Sequence, residues 1–141
     1  LKPDAFLVAD WMFTALGSER ERIEAAGIPI LVIDYNAQIL ERHLASTRAL
    51  GKVTGNDARA EELATFYESQ YRDVLARVAK AKVARKPRTY VEVGPDGADT
   101  VGVSYATTMW GKILTLLGSE NIAVGRLAGA SNGRSNVTVS C

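Results

Sequence analysis

The sequence predicts an α/β fold in which strand–helix units stand on either side of one long helix. Three observations carry this. Two short apolar runs, residues 5–9 (AFLVA) and 28–33 (IPILVI), flank a helical pattern, which is the order of a βαβ unit with buried parallel strands. Residues 56–85 form an uninterrupted helical pattern with no Gly or Pro. Beyond it Lys86-Pro87 breaks the helix, and a strand-then-helix pattern restarts at Arg88.

Composition bounds the function. The chain has 141 residues and 47% hydrophobic residues, enough for a packed core and too many for a disordered chain. Seventeen Lys and Arg stand against sixteen Asp and Glu, for a net charge of +1. No basic block points to nucleic acid. The apolar runs are too short to cross a bilayer. The one cysteine, Cys141, leaves no intrachain disulfide and no multi-cysteine zinc site. The chain opens LKPD, without Met or a secretory leader. We expect a fragment of a longer protein, and no localisation can be read from a targeting signal.

In order, the first apolar run comes after Pro3-Asp4 and ends at Asp10-Trp11-Met12-Phe13. The carboxyl edge of a parallel sheet is where ligands bind in open α/β folds. Trp11 and Phe13 are candidates for that role or for capping the core. Residues 18–26 read as a helix, with Ser18 and Glu21 spaced as a capping box and Gly27 as its C′ residue. The second apolar run ends at Asp34-Tyr35-Asn36, again at a carboxyl edge. A helix is predicted over 37–50, closed by Gly51, with 52–55 as a turn. Its inner stripe includes Leu40, Leu44 and the only histidine, His43. With no second His or Cys at ligand spacing, His43 reads as a packing residue.

The long helix places Leu63, Phe66, Tyr67, Gln70, Tyr71, Val74, Leu75 and Val78 on one stripe. Tyr71 and Val74 should face inward and Arg72 and Asp73 outward. Asp57 at the start and Lys80, Lys82 and Arg85 at the end complement the helix dipole. Helical throughout, the stretch would span roughly 40 Å, more than a small lobe.

Residues 88–93 (RTYVEV) read as a strand, 94–102 as a flexible loop and 104–117 as a helix stopped by Gly118. Gly111 inside that helix points to close packing or the approach of a ligand. The tail after Gly125 is rich in Ser, Asn and Gly, with 137–139 as a candidate edge strand.

No GxGxxG follows a strand, and no phosphate-binding GxxxxGK[ST] is present. Glu61-Glu62 sits at a solvated helix start. Nothing specifies chemistry on a substrate, so no catalytic residue, metal site or cofactor is expected.

The segments LKPDAFLVAD, AAGIPILVID, RALGKVTG, ARAEELATFY, KPRTYVEV and TMWGKILTLLGSENIA, in this order and spacing, resemble the substrate-binding proteins of ABC importers for iron–siderophore, haem and corrinoid complexes. The resemblance covers residues 1–125 or so. It implies two Rossmann-like lobes joined by one rigid helix. Residues 1–55 would be the second half of the N-terminal lobe, 56–85 the interlobe helix and 86–141 the start of the C-terminal lobe with an atypical tail. Both lobes would be incomplete in this chain. The implied function is capture of a metal chelate, an iron–siderophore first, and delivery to an ABC permease. The protein would be a monomer, periplasmic or lipid-anchored outside the cytoplasmic membrane, with no catalytic reaction. Matched by position along the pattern, the ligand-binding candidates are Trp11, Tyr35, Tyr105 and Trp110. Trp110 has packing under its own helix, beside Ile113 and Leu117, as the alternative.

Two other classes compete. A metallocluster oxidoreductase subunit has similar lobes but needs more cysteine ligands than Cys141 supplies. A response-regulator-like module wants an acidic cluster at strand ends, where only Asp10 and Asp34 stand, and it has no use for the long helix.

Overall fold

A computed structural model describes residues 2–81, 83–91, 101–122, 124 and 134–137. The α/β class expected from the sequence is what it shows. The chain divides into two compact units, Leu1–Tyr35 with Ile39–Ser69, and Asn36–Gln38 with Gln70–Cys141.

In the first unit, β1 (Phe6–Ala9) and β2 (Ile30–Ile33) pair in parallel, Phe6 opposite Ile30 and Ala9 opposite Ile33. Pro29 lies outside β2, and its carbonyl accepts the Phe6 N–H at 2.9 Å. The helices α1 (Asp10–Ala15), α2 (Glu19–Ala25) and α3 (Leu40–Thr54) all pack on β2. Val8, Leu40, Leu44, Ala60 and Ala64 are buried at the centre of this unit. The predicted capping box is not made. Ser18 is in the αR region and its side chain caps nothing, while its carbonyl accepts the Glu21 N–H.

Gly51 does not end the third helix. It lies inside α3, fully buried, and a Cβ there would overlap the Ala60 methyl. The missing side chain is a packing device where α3 meets α4 (Asp57–Lys80). The terminator is Gly55, whose φ of +69° is left-handed. Asn56 N–H reaches Gly51 O at 2.8 Å and Gly55 N–H reaches Lys52 O at 3.4 Å, a Schellman closure. Gly118 closes its helix likewise, as expected.

The long helix stops at Lys80 rather than running to Arg85. Pro87 lies ahead, and residues 84 and 85 already bend; a proline also disfavours helix at the residue before it. The inner face is shifted from the predicted stripe. Ala60 and Ala64 are buried, and Tyr67, Tyr71, Leu75 and Val78 are half-buried. Leu63, Phe66, Gln70 and Val74 are exposed. Small side chains thus take the centre where α3 comes closest, and the larger ones flank it. Arg72 and Asp73 are exposed, as expected.

In the second unit, β3 (Arg88–Thr89) pairs in parallel with β5 (Glu120–Asn121), and β4 (Val101–Tyr105) pairs antiparallel with β6 (Arg134–Val137). The helix α5 (Met109–Leu116) packs on β4 and β5. The sequence reading misses β4 and starts the helix at Ser104. The alternation of VGVSY runs straight into the helical period, and only Ala106–Thr108 separates them as a bend. The predicted strand beyond Val91, residues 94–100 of the predicted loop, Val139 and Cys141 lie outside the described residues.

Candidate binding site

In the first unit the carboxyl ends of β1 and β2 are adjacent, because the strands are parallel and in register. Asp10 and Trp11 come after one strand, Asp34 and Tyr35 after the other. Trp11 stands 60% exposed on α1. The turn after β2 is fixed by α3. Asp34 N–H donates to Ser46 Oγ at 2.9 Å, and the Ser46 hydroxyl donates in turn to the Arg42 carbonyl at 2.8 Å. Arg42 Nη1 closes the circuit on Asp34 Oδ2 at 2.9 Å. The hydrogen bond and charge of Asp34 raise the Arg42 pKa above its ordinary value, with Asp10 adding a smaller attraction. The Asp34 carboxylate is therefore already paired.

Tyr35 turns onto α3. Its hydroxyl lies 3.3 Å from Thr47 Oγ1, and since Thr47 donates to the His43 carbonyl, Tyr35 is the donor. Its ring meets His43 edge-on at 4.6 Å, and His43 stacks flat on Tyr67 of α4 at 3.6 Å. Burial holds the His43 pKa below its usual value, so the ring is neutral at pH 7. These rings, with Leu50, Leu63 and Phe66, wall an apolar concavity of about 440 Å³. Trp11 does not line it.

In the second unit the edge is the end of β4. Tyr105 is half-buried and Trp110, in the first turn of α5, is 48% exposed. Gly111 sits so close to the Tyr105 and Ala106 carbonyls that a Cβ would overlap both. This is the close approach that a glycine inside a helix announces. Met109 enters the helix at φ +46°, and its N–H donates to Asn36 O at 2.9 Å.

The structure thus brings Trp11 and Tyr35 to one sheet edge, and Tyr105 and Trp110 to the two sides of one turn. Thr47 and Tyr67 stand on the inner stripes of their helical patterns, but the contacts that they and Asn121 make to these groups carry no pattern signal in the sequence. Their partners are twelve or more residues away in sequence, beyond any helical or strand period. Among the described residues no group of three or more His, Cys, Asp or Glu could hold a metal, and no helix is long and apolar enough to cross a membrane.

Parallel strands whose carboxyl ends carry aromatic side chains form the kind of edge at which open α/β folds take ligands. The periplasmic binding protein family matches residues 1–136, and the chain belongs to it. It is similar to the TroA-like periplasmic binding protein FepB from Veillonella parvula, with 32% identity and a TM-score of 0.81 over 96% of this chain and 38% of that one. A periplasmic heme binding protein from Pseudomonas aeruginosa shares the fold at 22% identity and a TM-score of 0.61, over 86% of this chain and 42% of that one. An uncharacterised ABC transporter substrate-binding lipoprotein, YvrC of Bacillus subtilis (strain 168), is 22% identical over 87% of this chain and 38% of its own length. The chain spans well under half the length of each of these relatives.

Proposed function

We propose that this chain is part of an extracytoplasmic solute-binding protein that captures a metal chelate, an iron–siderophore first, and delivers it to an ABC permease. The observation that carries the proposal is the family match across nearly the whole chain. Similarity to the Bacillus ABC transporter lipoprotein supports the permease as partner and a periplasmic or lipid-anchored location. Similarity to the Pseudomonas heme binding protein supports a metal chelate as the ligand class.

In this reading residues 1–55 belong to the N-terminal lobe, 56–85 to the interlobe helix and 86–141 to the C-terminal lobe, and the protein works as a monomer. Trp11, Tyr35, Tyr105 and Trp110 are the residues proposed to contact the chelate. Aromatic side chains add contact area at little conformational cost. No bond is made or broken, so the protein is not an enzyme. Titrating the intact protein with a ferric siderophore, haem and cobalamin, each beside its metal-free form, tests the proposal. Saturable quenching of protein fluorescence by one metal-loaded chelate is expected. Failure of all three to bind would remove it.

A further inference from the structure

We propose that Asn121 is a positioning residue for the Tyr105–Trp110 turn, an inference that rests on that turn being a ligand edge. Among the described residues, the β3–β5 and β4–β6 sheets of the second unit share no strand. The Asn121 side chain spans them. Its Nδ2–H donates to the Tyr105 carbonyl at 2.8 Å, and the residue is only 7% exposed.

Asn121 is itself held by β3. Its Cα partner is Thr89, and the flanking Glu120 and Ile122 N–H groups donate to Pro87 and Thr89 carbonyls at 2.8 and 3.1 Å. The Thr89 and Ser119 hydroxyls lie 2.6 Å apart, and Ser119 also donates to Pro87 O. The amide therefore projects from a well-tied strand end.

Gly111 bears on the same carbonyl from α5. The last peptide of β4 is thus held from two elements, by a donor and by a close packing contact. Next along the chain come the bend at Ala106–Thr108, Met109 at positive φ, and the exposed Trp110. A non-glycine residue persists in the left-handed region only where its surroundings over-determine the backbone. Fixing the Tyr105 carbonyl is one such constraint, and it sets the direction in which the Tyr105 and Trp110 side chains leave the backbone. Groups fixed before binding lose less freedom on binding.

The requirement is for an amide. A carboxylate of the same shape has no proton to give and would face the carbonyl with like partial charge. Asn121→Asp and Asn121→Ser therefore remove the bond, the second without burying a charge. The experiment is chelate titration of the intact protein with a ferric hydroxamate siderophore and with haem. It is joined to 19F NMR of 5-fluorotryptophan-labelled protein, with the Trp110 signal assigned by its loss in Trp110→Phe.

The expected result is a shifted or broadened Trp110 signal in both Asn121 variants. Affinity for the bound chelate should fall about tenfold, the scale of one neutral hydrogen bond. The midpoint of thermal unfolding should move far less than in Gly111→Ala. Tyr105→Ala in the wild-type background separates the two ideas. If it leaves affinity unchanged, the ligand-edge reading falls, and the positioning role with it. If Tyr105→Ala weakens binding while both Asn121 variants keep the wild-type Trp110 signal and affinity, the positioning role alone is overturned. Failure of both variants to fold overturns it too, because Asn121 would then serve the fold as a whole.

Discussion

The imidazole of His43 lies flat on the ring of Tyr67, with centroids 3.6 Å apart and planes 4° from parallel. The stack joins the first turn of α3 to the middle of α4, well along both helices from the contact of Gly51 with Ala60. Tyr35, at the end of β2, leans edge-on against the same imidazole. The candidate ligand edge is in this way coupled to the long helix through one titratable ring.

That ring gives a pH dependence with a definite sign. Burial lowers the His43 pKa from its ordinary 6.5, so the folded state takes up its proton later than the unfolded state does. The contribution is fully present above pH 6.5 and is lost as pH falls through the lowered value. Chemical denaturation between pH 7 and pH 5 should show stability falling with acid, with a shallower slope in His43→Phe. An unchanged slope in the variant would remove His43 as the cause.

A second acid loss lies lower. Arg48 grips Glu61 through two nitrogens, at 2.6 and 2.8 Å, across the α3–α4 pair. The hydrogen bond lowers the Glu61 pKa below 4.5, with the Arg48 charge helping against desolvation. Its contribution is present above pH 4.5 and disappears as pH falls through the depressed value. Both side chains are solvent-exposed, so the effect is small and salt-screened. Comparing wild type with Glu61→Gln at pH 7 and pH 3 should show the difference between them shrinking with acid. A constant difference contradicts the pair.

Gly51→Ala is expected to cost about 1–3 kcal/mol, the usual range for overpacking a filled core. Its methyl would meet Ala60 rather than solvent. Restoring the space with Ala60→Gly should recover part of that loss. The double variant then lies above the sum of the single effects, a positive coupling between residues in contact. Additive losses in urea denaturation would show that Gly51 is needed for some other reason.

Removing the Tyr35 hydroxyl tests how tightly the edge is held. Tyr35→Phe should cost about 0.5–1.5 kcal/mol, the range for one partly buried hydrogen bond. Thr47→Val should cost a similar amount and the pair less than the sum, because both remove the same bond. Equal additive losses would mean that the 3.3 Å contact carries no energy.

These contacts also explain how much of the fold is legible in the sequence. The pairing of β1 with β2 is foreshadowed by the apolar runs AFLVA and IPILVI, but their burial is not: Leu7 is exposed, β2 is half-buried and only Val8 is buried. The long helix is marked by a period that neither Gly nor Pro interrupts. Gly51 misleads because a glycine that terminates a helix and a glycine that lets two helices touch look alike in one dimension. Strand β4 is hidden by a hydrophobic pattern that changes period without a breaker. The inner face of α4 is misplaced because small Ala60 and Ala64 outcompete larger residues where helices come closest. Of the site, the aromatic residues are visible by their position at strand ends. The Asn121, Thr47 and Arg42 contacts that hold those edges are not, because they join elements distant in sequence.

In the proposed function Trp11 and Tyr105 contact a metal chelate. The direct measurement is calorimetric titration of the intact protein with whichever chelate binds, repeated with Trp11→Ala and Tyr105→Ala. Each substitution should weaken binding by about tenfold or more, as expected when a buried aromatic contact is truncated, with thermal stability little changed. Saturable binding of wild-type affinity in both variants would remove both residues from the site.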